Sequence, residues 1–307
     1  MKRKIRIGSR DSKLAVVQAE IVIRAIQKVH PELELKLVTM KTTGDKILDR
    51  RLDQIGGKGL FVKELDQALL DHRIDLSVHS LKDLPMEENP DLPLVGFTKR
   101  EDPRDCLLYK DCYHNKERIF DDMAKHKIGS SSRRRIIQIQ QLYPNAVFES
   151  IRGNVQTRLR KLEEQDFCAT ALAVAGLNRL QMQERIDRIF SVDEVIPAAG
   201  QGILAIQARK GEEYSFLDHI CDFNAELAAF AERAFTKEVD GGCSAPIAAY
   251  AEITGNALKL RAMYYSDIVQ KMAKGQKEIV LFGSYKAQIY QAEELGRCLA
   301  EQLKQRI

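Results

Sequence analysis

The sequence contains no tryptophan, and its 48 Lys and Arg residues exceed its 44 Asp and Glu residues by only 4. That balance argues against a general nucleic-acid-binding protein, and basic motifs without interleaved aromatics offer little for base stacking. Long apolar runs are also missing. The longest uncharged apolar-rich stretch, Cys168 to Leu177, is far shorter than a bilayer span. Residues 1–10, MKRKIRIGSR, hold a basic cluster but no apolar segment of the secretory-signal kind. The expected location is the cytoplasm, with no membrane partner. Six cysteines stand at 106, 112, 168, 221, 243 and 298, with no CxxC pair and no histidine at ligand spacing from them. Neither structural disulfides nor a metal site is expected, and free thiols in a reducing compartment fit best.

What is present describes a globular protein of 307 residues, 44% hydrophobic and 30% charged, long enough for two or three domains. The first hundred residues alternate strand and helix. Ile5 and Ile7 mark a strand over Lys4 to Gly8. Ser12 then caps a helix on which Leu14, Val17, Ile21 and Ala25 share a face. Leu33, Leu35 and Leu37 alternate again, Phe61, Leu65 and Leu69 mark a second helix, and Leu76 and Val78 a further strand. This is the rhythm of an α/β domain with a largely parallel sheet. Residues 99–105, KREDPRD, read as a linker. A second α/β series follows, with strands at Lys127 to Gly129, Ala146 to Glu149 and Cys168 to Leu172, and helices after Ser132 and Asn154. Residues 197–202, PAAGQG, read as a hinge. From about Asn224 the order changes to one helix, apolar runs at 247–253, 258–264 and 278–282, and a last helix carrying Leu295, Leu299 and Leu303. That order suggests a small α+β domain with an antiparallel sheet. Two α/β domains joined by short crossovers enclose a cleft, and ligands of open α/β sheets bind beyond the carboxyl ends of the strands.

The polar motifs fall at those ends. Gly8-Ser9-Arg10-Asp11-Ser12 joins the first strand to its helix, where N–H groups and a guanidinium suit an anion. An ordinary cap with a surface arginine would look the same. Gly56-Gly57-Lys58-Gly59 is glycine-rich but lacks P-loop spacing, and reads as a flap with Lys58 at hand or as a plain loop. His79-Ser80-Leu81-Lys82-Asp83-Leu84-Pro85 crowds charges at a strand end. Asp83 there can steady a cation or handle a proton, or Lys82 and Asp83 are plain solvated loop charges, whereas His79 reads as packed structure. Gly129-Ser130-Ser131-Ser132-Arg133-Arg134-Arg135 places three arginines at a helix N-terminus, which the helix dipole disfavours. An anion between them, or surface salt bridges, would resolve the conflict. Arg152 and Arg158 flank another helix start. Together these ends imply a ligand with several carboxylates or phosphates.

Cys243 lies in Asp240-Gly241-Gly242-Cys243-Ser244-Ala245-Pro246, a turn between a helical pattern and an apolar run. A thiol there is reachable as a nucleophile or an attachment point, though a loop cysteine without a role fits the segment equally.

The ordered set of motifs resembles the porphobilinogen deaminase (hydroxymethylbilane synthase) family along nearly the whole chain. It includes GSRDSKLA at 8–15, TTGDKILD at 42–49, GGKGLFVKELD at 56–66, VHSLKDLP at 78–85, REDPRD at 100–105, GSSSRRR at 129–135, IRGNVQTRLRKL at 151–162, LAVAGLNRL at 172–180, PAAGQG at 197–202 and GGCSAP at 241–246. The resemblance implies two lobes like those of periplasmic binding proteins and a third domain. The boundaries would be 1–98 with 199–217, then 104–194, then 222–307. It also implies assembly of four porphobilinogen molecules into the linear tetrapyrrole hydroxymethylbilane, with release of ammonia, by a monomer with no nucleic-acid partner. Cys243 would hold a covalent dipyrromethane cofactor through a thioether. Asp83 would be the catalytic group, stabilising the cation left when ammonia departs. Lys82, Asp83, Ser130, Ser131, Ser132, Arg134, Arg135, Arg152, Arg158, Gln201 and Gly202 would line the cofactor site. Arg10, Ser12, Lys58, Phe61, Ser80 and Arg152 would line the substrate site. Thr43, Gln54 and Asn178 depart from some members, and Arg133 stands where many have an apolar residue, which leaves it outside the site. A reversible carboxylate-binding module and an RNA-binding protein using residues 133–135 are the rival readings, and a metal enzyme is weaker still because no ligand set is visible.

Overall fold

The structure, a computed structural model, describes residues 4–42, 62–112, 126–239, 246–265 and 280–306. The first lobe opens with β1 (Lys4–Arg10), α1 (Lys13–Val29), β2 (Glu34–Met40), α2 (Lys63–Leu70), β3 (Leu76–Ser80) and β4 (Leu94–Phe97). The second holds β5 (Asp105–Tyr109), β6 (Lys127–Gly129), α3 (Arg133–Leu142), β7 (Val147–Glu149), α4 (Val155–Glu164), β8 (Ala169–Ala173), α5 (Val174–Arg179) and β9 (Arg188–Ile189). The chain then returns to the first lobe as β10 (Leu204–Ala208). It ends in α6 (Phe223–Glu238), β11 (Ala248–Thr254), β12 (Ala257–Tyr265), β13 (Val280–Gln288) and α7 (Ala292–Lys304).

Both lobes follow one plan. The first sheet runs β2-β1-β3-β10-β4 and the second β7-β6-β8-β5-β9. In the first, β1 is parallel to β2 and β3, while β10 is antiparallel to β3 and β4. In the second, β6 is parallel to β7 and β8, while β5 is antiparallel to β8 and β9. The expected largely parallel sheets are therefore mixed. Strands joined by a helix within a lobe must run parallel, but β5 and β10 are delivered by crossings from the other lobe and escape that constraint.

The strands behave as their patterns require. Ile5 and Ile7 are buried on β1 and pack with Leu76, Val78, Leu204 and Ile206. On α1 the deepest stripe is Gln18, Ala19, Val22 and Ile26. The stripe expected from periodicity, Leu14, Val17, Ile21 and Ala25, is only half-buried. Val17 and Ile21 instead line a cavity of about 510 Å³ shared with Asn178, Arg179 and Leu180 of the second lobe. The helix is apolar on two adjoining faces because it meets its own sheet and the other lobe.

The last segment is an antiparallel β11-β12-β13 sheet covered by α6 and α7. The third strand runs to Gln288, beyond the expected run at 278–282. The two helices touch at Gly296, where a Cβ would collide with the Ala231 carbonyl oxygen. This unit packs on both lobes, through Ala225 and Ala229 against Leu81 and Phe97 and through Met263 and Tyr265 against Ile137 and Ile196.

Two crossovers, residues 98–104 and 190–203, connect the lobes and bond to each other. The Thr98 N–H donates to Leu204 and the Glu101 N–H to Gly202, both at 3.0 Å. Gly202 has φ +91°, and a Cβ there would meet the Glu101 carbonyl oxygen, so this crossing needs glycine. Residues 99–105 are not a solvated linker. Arg100 pairs with the fully buried Glu232 at 2.7 Å, and Asp105, also fully buried, begins β5.

Candidate active site

The strand ends of the two lobes supply the charged groups. After β3 a single turn spans Leu81–Asp83, with Leu81 buried, Lys82 half-buried and Asp83 exposed. Its frame is set from behind. The Leu81 N–H donates to Ile203 at 3.0 Å, and Gln18 of α1 donates to the Ser80 hydroxyl at 2.9 Å. His79 is buried and contacts the Ser77 hydroxyl at 2.8 Å, and burial pushes its pKa down to about 4, so it is a neutral structural residue. The charge of Arg10, at the end of β1, opposes protonation of His79 further. Ser12 occupies the N-cap position of α1 but makes no side-chain capping bond.

In the second lobe, Ser132 caps α3 by accepting from the Arg135 N–H at 3.4 Å. Ser131 donates to the Ile151 carbonyl at 2.8 Å, joining the β6 end to the segment after β7. The Ser130 hydroxyl accepts from the Ser132 N–H at 3.3 Å. Asn154 caps α4, and Arg158 on its first turn donates from Nε to the Gly153 carbonyl at 2.8 Å. Burial and the neighbouring charge of Arg135 push Arg158 down to about 10, with Arg152 acting in the same sense and Asp83 opposing. The fields of both lobes therefore meet at this point.

The conflict of arginines at a helix N-terminus is resolved inside the protein. The Asp105 carboxylate lies 2.7 Å from Arg134 Nη1 and 2.8 Å from Arg135 Nη2. Arg135 also donates from Nη1 to the Ala171 carbonyl at 3.1 Å, and Arg134 to the Ile196 carbonyl at 2.6 Å. Burial alone would raise the Asp105 pKa, but the two guanidiniums hold it far below the usual carboxylate range. Gln201, from the returning crossover, donates to Asp105 at 3.0 Å and to the Pro103 carbonyl at 2.6 Å, and accepts from Lys82 Nζ at 3.3 Å. Lys82 is pushed down to about 8 by burial, with Arg135 and Arg134 adding to the effect and Asp83 and Asp105 opposing it. Gly202 spends its carbonyl on the crossover, accepting from Glu101 N and from Arg179 Nη2 at 2.6 Å.

Of the residues anticipated from sequence, Lys82, Asp83, Arg134, Arg135, Arg158 and Gln201 are brought together across the lobes. Lys58, Phe61, Cys243, Thr43 and Gln54 lie outside the described residues. Arg133, left out of the site, lies over the Tyr265 ring at 5.1 Å. Asn178 donates to Glu101 Oε1 at 3.1 Å, so that departure faces a crossover rather than the charge cluster. Asp105 escaped sequence reading because it ends a charged, proline-containing stretch. The apolar run Cys106-Leu107-Leu108-Tyr109 directly after it was the signal that a buried strand begins there. The donor set of guanidinium, ammonium and hydroxyl groups fits a ligand bearing carboxylates. Two other thiols can be weighed as attachment points. Burial pushes Cys106 up to about 12 and Cys168 up to about 11, which suits neither for covalent attachment.

Two mixed α/β lobes meeting over a cationic cluster, backed by an α+β unit, define a two-lobed α/β protein with cationic groups where its lobes meet. Residues 5–216 match the family described as "Porphobilinogen deaminase, dipyromethane cofactor binding domain", and residues 226–305 match "Porphobilinogen deaminase, C-terminal domain". The chain belongs to the porphobilinogen deaminase family, and the enzymatic activity and dipyrromethane cofactor expected from its sequence go with that membership. It is 52% identical over 304 residues to the porphobilinogen deaminase of Alkaliphilus oremlandii, covering 98% of this chain and 97% of that protein. It is 52% identical over 272 residues to that of Ruminiclostridium josui, covering 89% and 90%. Among solved structures, the periplasmic aliphatic sulphonate binding protein SsuA from Escherichia coli aligns with a TM-score of 0.42 at 15% identity, over 77% of this chain and 70% of that one. Among the described residues, no helix is long and apolar enough to cross a membrane.

Proposed function

We propose that the cluster between the lobes is the catalytic centre at which porphobilinogen units are joined, and that Cys243 carries the dipyrromethane. When bound, that group supplies the covalent anchor and the growing end. The protein's own residues do the rest. Arg134, Arg135, Arg152 and Arg158, with Arg10 from the first lobe, hold acetate and propionate carboxylates by paired N–H donors. Ser130, Ser131, Ser132 and Lys82 add donors around them, and Gln201 and Gly202 close the floor. Ser12, Ser80, Lys58 and Phe61 serve the incoming substrate. Asp83 accepts hydrogen bonds from pyrrole N–H groups and places a fixed negative charge beside the positive charge that develops as ammonia leaves. The domains are taken as 1–98 with 199–217, 104–194 and 222–307. The protein works as a cytoplasmic monomer without a nucleic-acid partner.

One observation supports this reading above the others. Asp83 and Lys82 of one lobe lie within electrostatic reach of Arg135 and Arg158 of the other, so an anion between the lobes meets both catalytic and binding groups. The test is the intact mass of the denatured protein after incubation with porphobilinogen, beside that of Cys243→Ser. A gain of two linked pyrrole units in the parent and none in the variant is the expected result. A gain that persists in the variant would remove Cys243 from its role.

A further inference from the structure

Asp105 belongs to no anticipated site, yet four side chains converge on it or on the residue bonded to it. It contacts Arg134 and Arg135 of α3 and accepts from Gln201, which accepts in turn from Lys82 beside Asp83. The path is unbroken: Lys82 to Gln201 at 3.3 Å, Gln201 to Asp105 at 3.0 Å, Asp105 to Arg135 Nε at 2.9 Å. Its members come from the catalytic turn, the returning crossover, the first residue of the outgoing strand, and the helix of the other lobe. Asp105 and Gln201 are almost fully buried, at 0% and 1% exposure, and their hydrogen bonds go to protein groups, so neither depends on a ligand to be held.

We propose that Asp105 is a positioning residue which, with Gln201 as its bridge, locks the arginine pair of the second lobe to the catalytic turn of the first. The inference rests on the reading that Arg134 and Arg135 receive substrate carboxylates. Two adjacent guanidiniums on one helix turn repel each other and would splay without a shared anion. Asp105 meets Arg134 at Nη1 and Arg135 at Nε and Nη2, and fixes their remaining N–H groups relative to Asp83. A displacement of about 1 Å of a bound reactant costs on the order of 100-fold in rate. Asp105 also leaves the pair with one net positive charge instead of two, which limits how firmly a lengthening polyanion is held. Its negative charge supports the protonated form of Lys82 against burial and the two arginines.

Asp105→Asn keeps the shape and the hydrogen bond from Gln201 while removing the charge. The expected variant folds, loses roughly 100-fold in kcat with a smaller change in KM, and takes up its two pyrrole units from porphobilinogen at least about 10-fold more slowly by intact mass. Its alkaline limb also moves to lower pH, because Lys82 deprotonates more readily without the carboxylate. Should the variant not fold, Gln201→Met severs the bridge and leaves both ion pairs intact. It is expected to show the same direction of pH displacement with a smaller loss of rate. A purely structural Asp105 would lower activity only in proportion to the folded fraction, with the pH profile and pyrrole uptake per folded molecule unchanged in both variants, and that result overturns the proposal. The parent protein is the control for the underlying reading. If the parent neither carries pyrrole units as purified nor takes them up from porphobilinogen, the functional assignment fails, whereas normal loading of parent and variants alike refutes only the role of Asp105.

Discussion

Among the described residues, Asp105 and Glu232 are the fully buried carboxylates that meet the crossovers of the chain, and they solve the same problem differently. Asp105 has two arginines and an amide, and its pKa is driven far down. Glu232 has Arg100 and the N–H groups of Gly200 and Ala251 at 2.6 and 2.7 Å, and burial outweighs them to leave its pKa raised. One extra guanidinium separates the two outcomes. The Glu232 junction ties both crossovers to the third unit and faces no strand-end motif. The Asp105 cluster lies beside Lys82 and Asp83, the turn proposed as catalytic, and carries an excess of cations. The first is an anchor, whereas the second is an anchor that also holds charge available to a ligand.

Five substitutions would break or sharpen that contrast. The largest effect is expected at the cleft. Asp83→Asn should lower turnover by roughly 1,000-fold, as removal of a preorganised electrostatic partner does, with an unchanged unfolding curve because Asp83 is exposed. Full activity in that variant ends its assignment. At the junction the effect should appear in stability instead. Glu232→Leu strands Arg100 without its partner and should cost about 3–5 kcal/mol in denaturant unfolding, with kcat per folded molecule little changed. Arg134→Leu should fall between the two. It slows pyrrole uptake and also loses some stability, since Asp105 keeps only one guanidinium. A variant with full stability and slow uptake would place Arg134 wholly on the ligand side.

The smallest effect is a pH slope. The folded-state pKa of Asp105 is depressed, so its stabilisation is present above the unfolded value near 4 and is lost only as pH falls through the folded value. Glu232 is the reverse. Its raised pKa means that its favourable contribution is full below the unfolded value and fades as pH rises through the folded one. Stability measured against pH should therefore lose an acid-side slope in Asp105→Asn and a slope of opposite sign in Glu232→Gln. Slopes of the same sign in the two variants would contradict the comparison.

Much of this was legible beforehand because it is local. Strands at Lys4 to Gly8 and Lys127 to Gly129, helix starts after Ser132 and Asn154, and the final helix with Leu295, Leu299 and Leu303 all follow from period, caps and turn residues. The motif at residues 129–135 even carried its own puzzle, arginines where a helix dipole repels them. Its solution was not readable, since the compensating carboxylate is 29 residues away from Arg134 in a stretch that looks like linker. The α1 face was misplaced by about one position for the same kind of reason: periodicity reports that a face is apolar, not which of two neighbours covers it.

The sequence by itself determined the helices and strands of the local strand-helix series and of the last domain, the strand-end placement of the charged motifs and the family, because backbone propensity, side-chain period and motif order are properties of short segments. It did not determine β4, β5, β9 and β10. Tertiary structure alone decided that the sheets are mixed, that Asp105 and Glu232 are buried ion-pair centres, and that Lys82, Gln201 and the arginines form one connected path. Those facts depend on which distant segments share a dielectric environment and a few ångströms of space, and only the folded chain sets that.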